Sequence, residues 1–302
     1  MSFGWASTEP LLCRSLLMTC ALHVRQYDKA WEMGADISVV DLEDSVPEPR
    51  KEEARRLALP LLRERSPEGL VQAVRINSLA SPDGLRDLLA LLDGGARPDA
   101  LFVPKVDTAR DLHILADILG ERLASTFFLV LIETAAGLCA VEEIAAMPRV
   151  RALVFGAADY STELGIPMLW DPLFYARSRI VVAATRAGIP AMDTPYFAIK
   201  DMEGLGEENA RSRALGFRGR AAVHPGQIQA INAAYGPPPE EVDRARRVVA
   251  LAERSGGQIG VLDDGQMIGP PMCLAARRTL ALADKIDRVS RRLRAAPEPV
   301  KV

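Results

Sequence analysis

Apolar residues run through this chain in short blocks, and most blocks end abruptly in a charged or amide side chain. Ile37-Ser-Val-Val40 gives way to Asp41, Gln72-Ala-Val74 to Arg75 and Asn77, and Leu101-Phe-Val-Pro104 to Lys105. Thr126-Phe-Phe-Leu-Val-Leu-Ile132 runs into Glu133, and Val150-Arg-Ala-Leu-Val-Phe155 leads through Gly-Ala-Ala to Asp159. Gly188-Ile-Pro-Ala-Met192 ends at Asp193, and Ala221-Ala-Val223 at His224. Blocks this apolar read as strands buried on both faces rather than as half-exposed ones. With Ser15-Leu-Leu-Met-Thr-Cys20 as an earlier strand, the chain holds eight. The polar markers recur at about 30 residues, the length of one βαβ unit. Helical stretches fall between them, most cleanly over 49–64, 84–92, 108–119, 137–146, 171–187 and 200–214.

Eight βα units predict an α/β chain folded as a TIM (β/α)8 barrel with its active site at the C-terminal ends of the strands. A doubly wound sheet is the competing topology. The spread of polar residues over nearly every strand end, with no Gly-rich phosphate turn, argues against it. Gly236-Pro-Pro-Pro239 is the one clear break. It divides a catalytic barrel over 1–235 from a helical extension over 236–302, with helices at 240–255 and 271–293 around a Gly-rich turn at 256–265. That extension is too small for a separate domain and is expected to pack on the barrel or on a neighbouring subunit.

At 302 residues and 49% hydrophobic, the chain can bury a core the size of one barrel. A net charge of −3 gives no reason to expect nucleic acid or an acidic membrane surface. No apolar run approaches the roughly 20 residues of a membrane span, and no signal-peptide pattern opens the sequence. Cys13, Cys20, Cys139 and Cys273 lack zinc-ligand spacing and read as reduced thiols of a cytoplasmic protein.

The chemistry lies in the strand-end carboxylates. An unpaired buried charge is costly, so Glu133 and Asp159, on neighbouring strands, invite a divalent cation. Each assignment has a structural alternative: Glu133 as cap of the helix that follows or partner of a neighbouring Arg, Arg75 as a barrel-end ion pair, Asp41 as an acceptor of backbone N–H groups. His224 reads as a hydrogen-bonded helix-start residue, and Arg211, Arg213, Arg218 and Arg220 as solvated surface, with a ligand phosphate contact as the alternative.

Further motifs carry a resemblance. In order they are Arg14-Ser-Leu-Leu, Gly34-Ala-Asp, Asp41-Leu-Glu-Asp-Ser-Val, Val74-Arg-Ile-Asn, Val103-Pro-Lys-Val and Ile132-Glu-Thr-Ala-Ala-Gly. Phe155-Gly-Ala-Ala-Asp, Gly188-Ile-Pro-Ala-Met-Asp, Gly216-Phe with His224-Pro-Gly-Gln, and Asp264-Gly-Gln-Met-Ile follow. Over 14–281 the sequence resembles the citrate lyase β-subunit-like branch of the HpcH/HpaI aldolase family. The resemblance implies a trimeric, Mg²⁺-dependent carbon–carbon lyase or aldolase. Its substrates would be citryl-, malyl- or citramalyl-type 3-hydroxyacyl thioesters, with a 2-oxo acid as substrate or product. Glu133 and Asp159 become the expected metal ligands. Arg75 is expected to hold a substrate carboxylate or a developing oxyanion, a role that guanidinium geometry suits. The resemblance also brings Glu43 and Asp44 into the site, for acid–base work or water-mediated support of the metal. Lys105 is expected to pair with an acid or contact a thioester's phosphates; Schiff-base chemistry is the weaker alternative.

Three positions depart from the pattern. Cys20-Ala21 stands where Pro-Gly commonly ends the first strand, Gly269 replaces an Asp, and Arg220 replaces a Lys. The metal half of the site looks intact and the thioester half altered. An aldolase for free, non-thioester substrates, and a metal- or partner-binding barrel that has lost catalysis, are therefore the competing expectations.

Overall fold

The computed structural model describes residues 11–64, 66–255 and 259–295. Its centre is a closed parallel barrel whose strands run in chain order. They are β1 (Ser15–Cys20), β2 (Ile37–Asp41), β3 (Val71–Arg75), β4 (Ala100–Val103), β5 (Phe127–Ile132), β6 (Val150–Phe155), β7 (Ala191–Asp193) and β8 (Gly219–Ala222). The ring closes where β1 pairs with β8, Leu16 opposite Ala221. Closure requires a glycine there, because a Cβ on Gly219 would lie 1.8 Å from the Cys13 carbonyl oxygen.

Side chains alternate across a strand, and the inward set fills the barrel. Leu16, Ile37, Val39, Val71, Ala73, Phe102, Leu129, Leu131, Val154 and Met192 form one buried cluster. Because every strand runs the same way, all C-terminal ends open at one mouth. Asp41, Arg75 and Glu133 continue the inward rows of Val39, Ala73 and Leu131 by one step of two, which puts them there.

Helices follow most strands where their signals predict. The helix Lys51–Leu61 is preceded by a 3₁₀ turn, Glu48–Arg50. Pro82–Asp93 is capped by the Ser81 hydroxyl, which accepts the Gly84 N–H. Ala109–Leu119 opens on a Thr108/Asp111 capping box, and Trp170–Ala187 and Met202–Leu215 each end on a left-handed glycine. The expected helix over 137–146 is instead two short ones, Ala135–Cys139 and Val141–Ala145, broken at Ala140. Asp159 does not end a strand. It lies in the first turn of a further helix, Ala157–Leu164, that periodicity does not reveal.

The chain divides into two compact units, one ending at Asn232 and the next beginning at Ala233. The second holds the helices Pro239–Arg254 and Pro270–Ala295 and a two-stranded hairpin, Gly260–Val261 with Met267–Ile268. Ala245, Val248, Ile268 and Ala276 give it a cluster of its own. Of the expected turn over 256–265, residues 256–258 lie outside the described residues. Among the described residues no helix is long and apolar enough to cross a membrane.

Candidate active site at the barrel mouth

Asp41, the last residue of β2, organises one side of the mouth. Its carboxylate accepts the backbone N–H groups of Glu43 at 2.9 Å and Ser45 at 3.2 Å, which folds the following loop back over the strand. It also takes both prongs of Arg75 from β3, Nε at 2.6 Å and Nη2 at 2.7 Å. Burial alone would raise its pKa, but the hydrogen bond and charge of Arg75 outweigh burial and hold it below the usual carboxylate range. Asp41 therefore takes the structural alternative, as acceptor of backbone N–H groups and of Arg75.

Arg75 is fixed by that fork and turns its remaining nitrogen outward. Nη1 lies 3.0 Å from Glu43 and 3.4 Å from Asp44. Burial opposes the guanidinium charge, yet the three acids raise its pKa further. Glu43 is buried, and its Oε2 has no hydrogen-bond partner of good geometry. Burial pushes its pKa up to about 8; Arg75 pulls downward, while Asp44, Glu133 and Asp41 add to the rise. The loop is pinned from behind by Lys51, whose ammonium donates to the Leu42 and Glu43 carbonyls and to Asn77. Asp44 sits at the rim with its side chain 61% exposed.

Across the mouth, Glu133 follows β5 with its side chain 2% exposed. It caps no helix; Thr134 does that. Its Oε1 instead accepts the backbone N–H of Lys105 at 2.8 Å. Lys105 bends to φ 52° to present that amide, an unusual conformation for a non-glycine residue. Burial lifts the Glu133 pKa to about 7 against the pull of the Lys105 charge and amide. The Lys105 ammonium stands between the two carboxylates, 2.5 Å from Asp159 and 3.9 Å from Glu133. Burial works against its charge, and the bond to Asp159 with the Glu133 charge raises its pKa regardless.

Gly156, at the end of β6, is the functional residue the sequence reading passed over. A Cβ there would sit 2.5 Å from the Glu133 Cβ and 2.7 Å from its Oε2. Only glycine lets the β6 backbone pass directly against the carboxylate. A short apolar strand followed by Gly was visible in the sequence, but the neighbour it must clear was not.

Glu43, Asp44, Arg75, Lys105, Glu133 and Asp159 thus face one another at a single mouth. Other flagged residues do not join them. Asp193 alternates with inward-facing Met192 and points behind the barrel, where Arg177 and Arg220 clasp it at 3.1 and 3.2 Å. Arg220 is fully buried there, so its surface reading is corrected: a guanidinium this deep needs the acceptors that the strand ends provide. Arg211 is exposed and stacks on Trp170, 4.4 Å from the ring centroid. His224 accepts the Gly226 N–H at 3.1 Å and begins a 3₁₀ turn.

Among the described residues no three His, Cys, Asp or Glu side chains cluster as a complete metal cage. Glu133 and Asp159 could still hold a hard divalent ion of the Mg²⁺ kind. Such an ion takes one or two carboxylates and keeps open positions for water and ligand oxygens. Two oxygen donors already bracketing a cationic group fit that demand.

Residues 14–225 match the model of the HpcH/HpaI aldolase/citrate lyase family. The chain is 35% identical to the (3S)-malyl-CoA thioesterase of Cereibacter sphaeroides (strain ATCC 17023), covering 90% of this chain and 95% of the relative. It is also 35% identical to citrate lyase subunit beta of Escherichia coli (strain K12), over 90% and 93% of the two chains. Among solved structures, CitE from Mycobacterium tuberculosis in complex with magnesium, acetoacetate and coenzyme A superposes with a TM-score of 0.76. That pair is 32% identical over 90% of this chain and 98% of that one. With a parallel eight-stranded barrel, its motifs in order and a family match over most of its length, this chain is an enzyme of the HpcH/HpaI aldolase/citrate lyase family, in the citrate lyase β-like branch.

Proposed function

We propose that this enzyme cleaves or forms a carbon–carbon bond in a 3-hydroxyacyl thioester of the citryl, malyl or citramalyl type, with a 2-oxo acid as product or co-substrate. The observation that carries this reading is the meeting at one mouth of a buried guanidinium, Arg75, a buried carboxyl whose pKa burial raises to about 8, Glu43, and the carboxylate pair Glu133 and Asp159. Cleavage moves the 3-hydroxyl proton to a base and the electrons of the breaking bond onto the acyl α-carbon. The products are a 2-oxo acid and an enolate that must be stabilised and then protonated. Glu43 is the proton carrier in this scheme, poised near neutral pH where transfer in both directions is efficient. Arg75, held by Asp41 through Nε and Nη2, binds a substrate carboxylate or the developing oxyanion through Nη1, the nitrogen it otherwise offers to Glu43 and Asp44. Asp44, at the rim, supports Glu43. Lys105 neutralises Asp159 and reaches anionic groups entering from outside.

Glu133 and Asp159 are the proposed Mg²⁺ ligands; when bound, the ion supplies Lewis-acid polarisation of the 2-oxo acid carbonyl. Magnesium in the Mycobacterium tuberculosis relative supports the choice of ion, and its acetoacetate and coenzyme A support an oxo-acid and thioester site. Four free thiols suit a reducing compartment such as the cytoplasm. A homotrimer remains the proposed assembly, with segment 236–302 packing on the barrel or a neighbouring subunit.

Turnover of free hydroxy acids is the second reading. Cys20, at the end of β1, donates to the Ser45 carbonyl at 3.2 Å, at the position where the family pattern commonly has Pro-Gly. Gly269 offers no side chain in place of the Asp expected there.

The test is a mass-spectrometric assay with Mg²⁺ on citryl-, malyl- and citramalyl-CoA beside the free acids, with Glu133→Ala as the blank. Release of a 2-oxo acid and an acyl-CoA supports the lyase reading. Release of free CoA with an intact hydroxy acid means thioester hydrolysis instead, the activity named for the Cereibacter relative. Turnover of free acids alone selects the second reading, and silence on every substrate with Mg²⁺ bound leaves a barrel that has lost catalysis.

A further inference from the structure

The helix that carries Asp159 starts without a capping side chain of its own. Its N-cap is Gly156, which has no oxygen to offer, yet the first amides of a helix have no partner inside it. The Ala157 N–H is satisfied from another strand: it donates to the Thr194 hydroxyl at 3.3 Å, in a buried position. Thr194 immediately follows β7 and is itself held on both sides. Its N–H donates to Asp193 Oδ1 at 2.8 Å, and its carbonyl accepts Arg220 Nη1 at 2.8 Å. Arg220 also reaches Asp193 Oδ2 at 3.2 Å and Glu208 at 3.1 Å, while Arg177 grips Asp193 at 3.1 Å. Asp193, Thr194, Arg177 and Arg220 are all buried. The hydroxyl is therefore presented by backbone that is hydrogen-bonded on both sides into a buried ion-pair network.

We propose that Thr194 is a positioning residue for Asp159, and that the Arg177–Asp193–Arg220 network behind the barrel acts on the site through it. Asp159 lies two residues beyond Ala157, in the same helical turn. Where that turn begins decides how far its carboxylate stands from Glu133, whose own place is set by contact with Gly156. A guanidinium at position 220 suits the task, because its planar fork reaches three acceptors from one buried position. This inference rests on the reading of Glu133 and Asp159 as the metal pair.

Thr194→Val keeps the shape and removes the acceptor; Thr194→Ser restores a hydroxyl. Two quantities are measured on the full chain: amide hydrogen exchange over 156–160, and Mg²⁺ affinity by titration calorimetry, with Asp159→Ala alongside. The expected result is faster exchange and about a 10-fold weaker Mg²⁺ affinity in the Val variant, the lower end of the change seen for residues that orient metal ligands. The Ser variant should lie near wild type in both. Unchanged exchange in the Val variant overturns the cap itself. Faster exchange with wild-type Mg²⁺ affinity, while Asp159→Ala binds weakly, overturns the positioning role and leaves the metal reading standing. Wild-type Mg²⁺ affinity in Asp159→Ala overturns both, and it points to the ligand assignment because the exchange data still report the cap separately.

Discussion

Single residues at the mouth are held in states they would not choose in water. Gly156 is the sharpest case, since a methyl group there would overlap the Glu133 side chain. Gly156→Ala should displace Glu133 and destabilise the fold by about 1–3 kcal/mol, the usual penalty for overpacking. Calorimetric Mg²⁺ titration should show weakened binding in the same variant. Glu43 makes a second prediction, about pH. Its native pKa is raised from 4.5 to about 8, so between those values the unfolded chain ionises it while the fold keeps it protonated. That difference destabilises the native state increasingly from pH 4.5 to about 8 and then levels off. Glu43→Gln should abolish it, raising the thermal midpoint by about 2–4 °C for each kcal/mol recovered. Melting curves with chelator present should show the gain widen across that window and vanish below pH 4. Arg75, Lys105 and Glu133 were legible because an acid or base at the end of an apolar run is costly to bury, Asp159 because it closely follows such a run, and Glu43 and Asp44 only through the family resemblance. Gly156 was not, because its neighbour comes from another strand.

At the scale of elements, the inward row of each strand decides which polar strand ends meet. Asp41 and Arg75 share that row and pair; Asp193 lies in the outward row and serves the wall behind. The sequence marks these strand ends alike, and only strand parity separates them. The helix Ala157–Leu164 escaped notice for a related reason: it is short and its cap belongs to β7. The Asp41–Arg75 clasp joins β2 to β3, and its pH dependence follows from the lowered Asp41 pKa. That stabilisation is complete above the ordinary Asp range of about pH 4 and is lost as pH falls through the lower native value. Asp41→Asn should cost about 3–5 kcal/mol at pH 7, since it leaves Arg75 buried without its main counter-charge. Chemical denaturation should show the gap to wild type closing in strong acid.

For the whole molecule, barrel closure gathers onto one mouth side chains from β2, β3, β4, β5 and the helix after β6, far apart in sequence. A ligand that binds only this gathered arrangement stabilises the fold by mass action. At a free concentration 100 times its dissociation constant, Mg²⁺ should add about 2.7 kcal/mol to unfolding. Glu133→Ala should lose that increment, and a wild-type increment in the variant would remove Glu133 from the metal site. Both are read as the thermal shift between chelated and Mg²⁺-loaded protein.

By itself the sequence determined the barrel, through eight apolar runs at βα spacing, and the composition of its mouth, because buried strands that end in charge leave few places for that charge to go. It also carried the family, in motifs that follow one another from Arg14 to Ile268. What only the tertiary structure decided is which groups touch: Lys105 between two carboxylates, Gly156 against Glu133, Arg220 buried behind the wall, Thr194 under the helix of Asp159. The physical reason is that these contacts join residues across the closed ring. Local periodicity reports the face on which a side chain lies; ring closure and strand register choose its neighbour there.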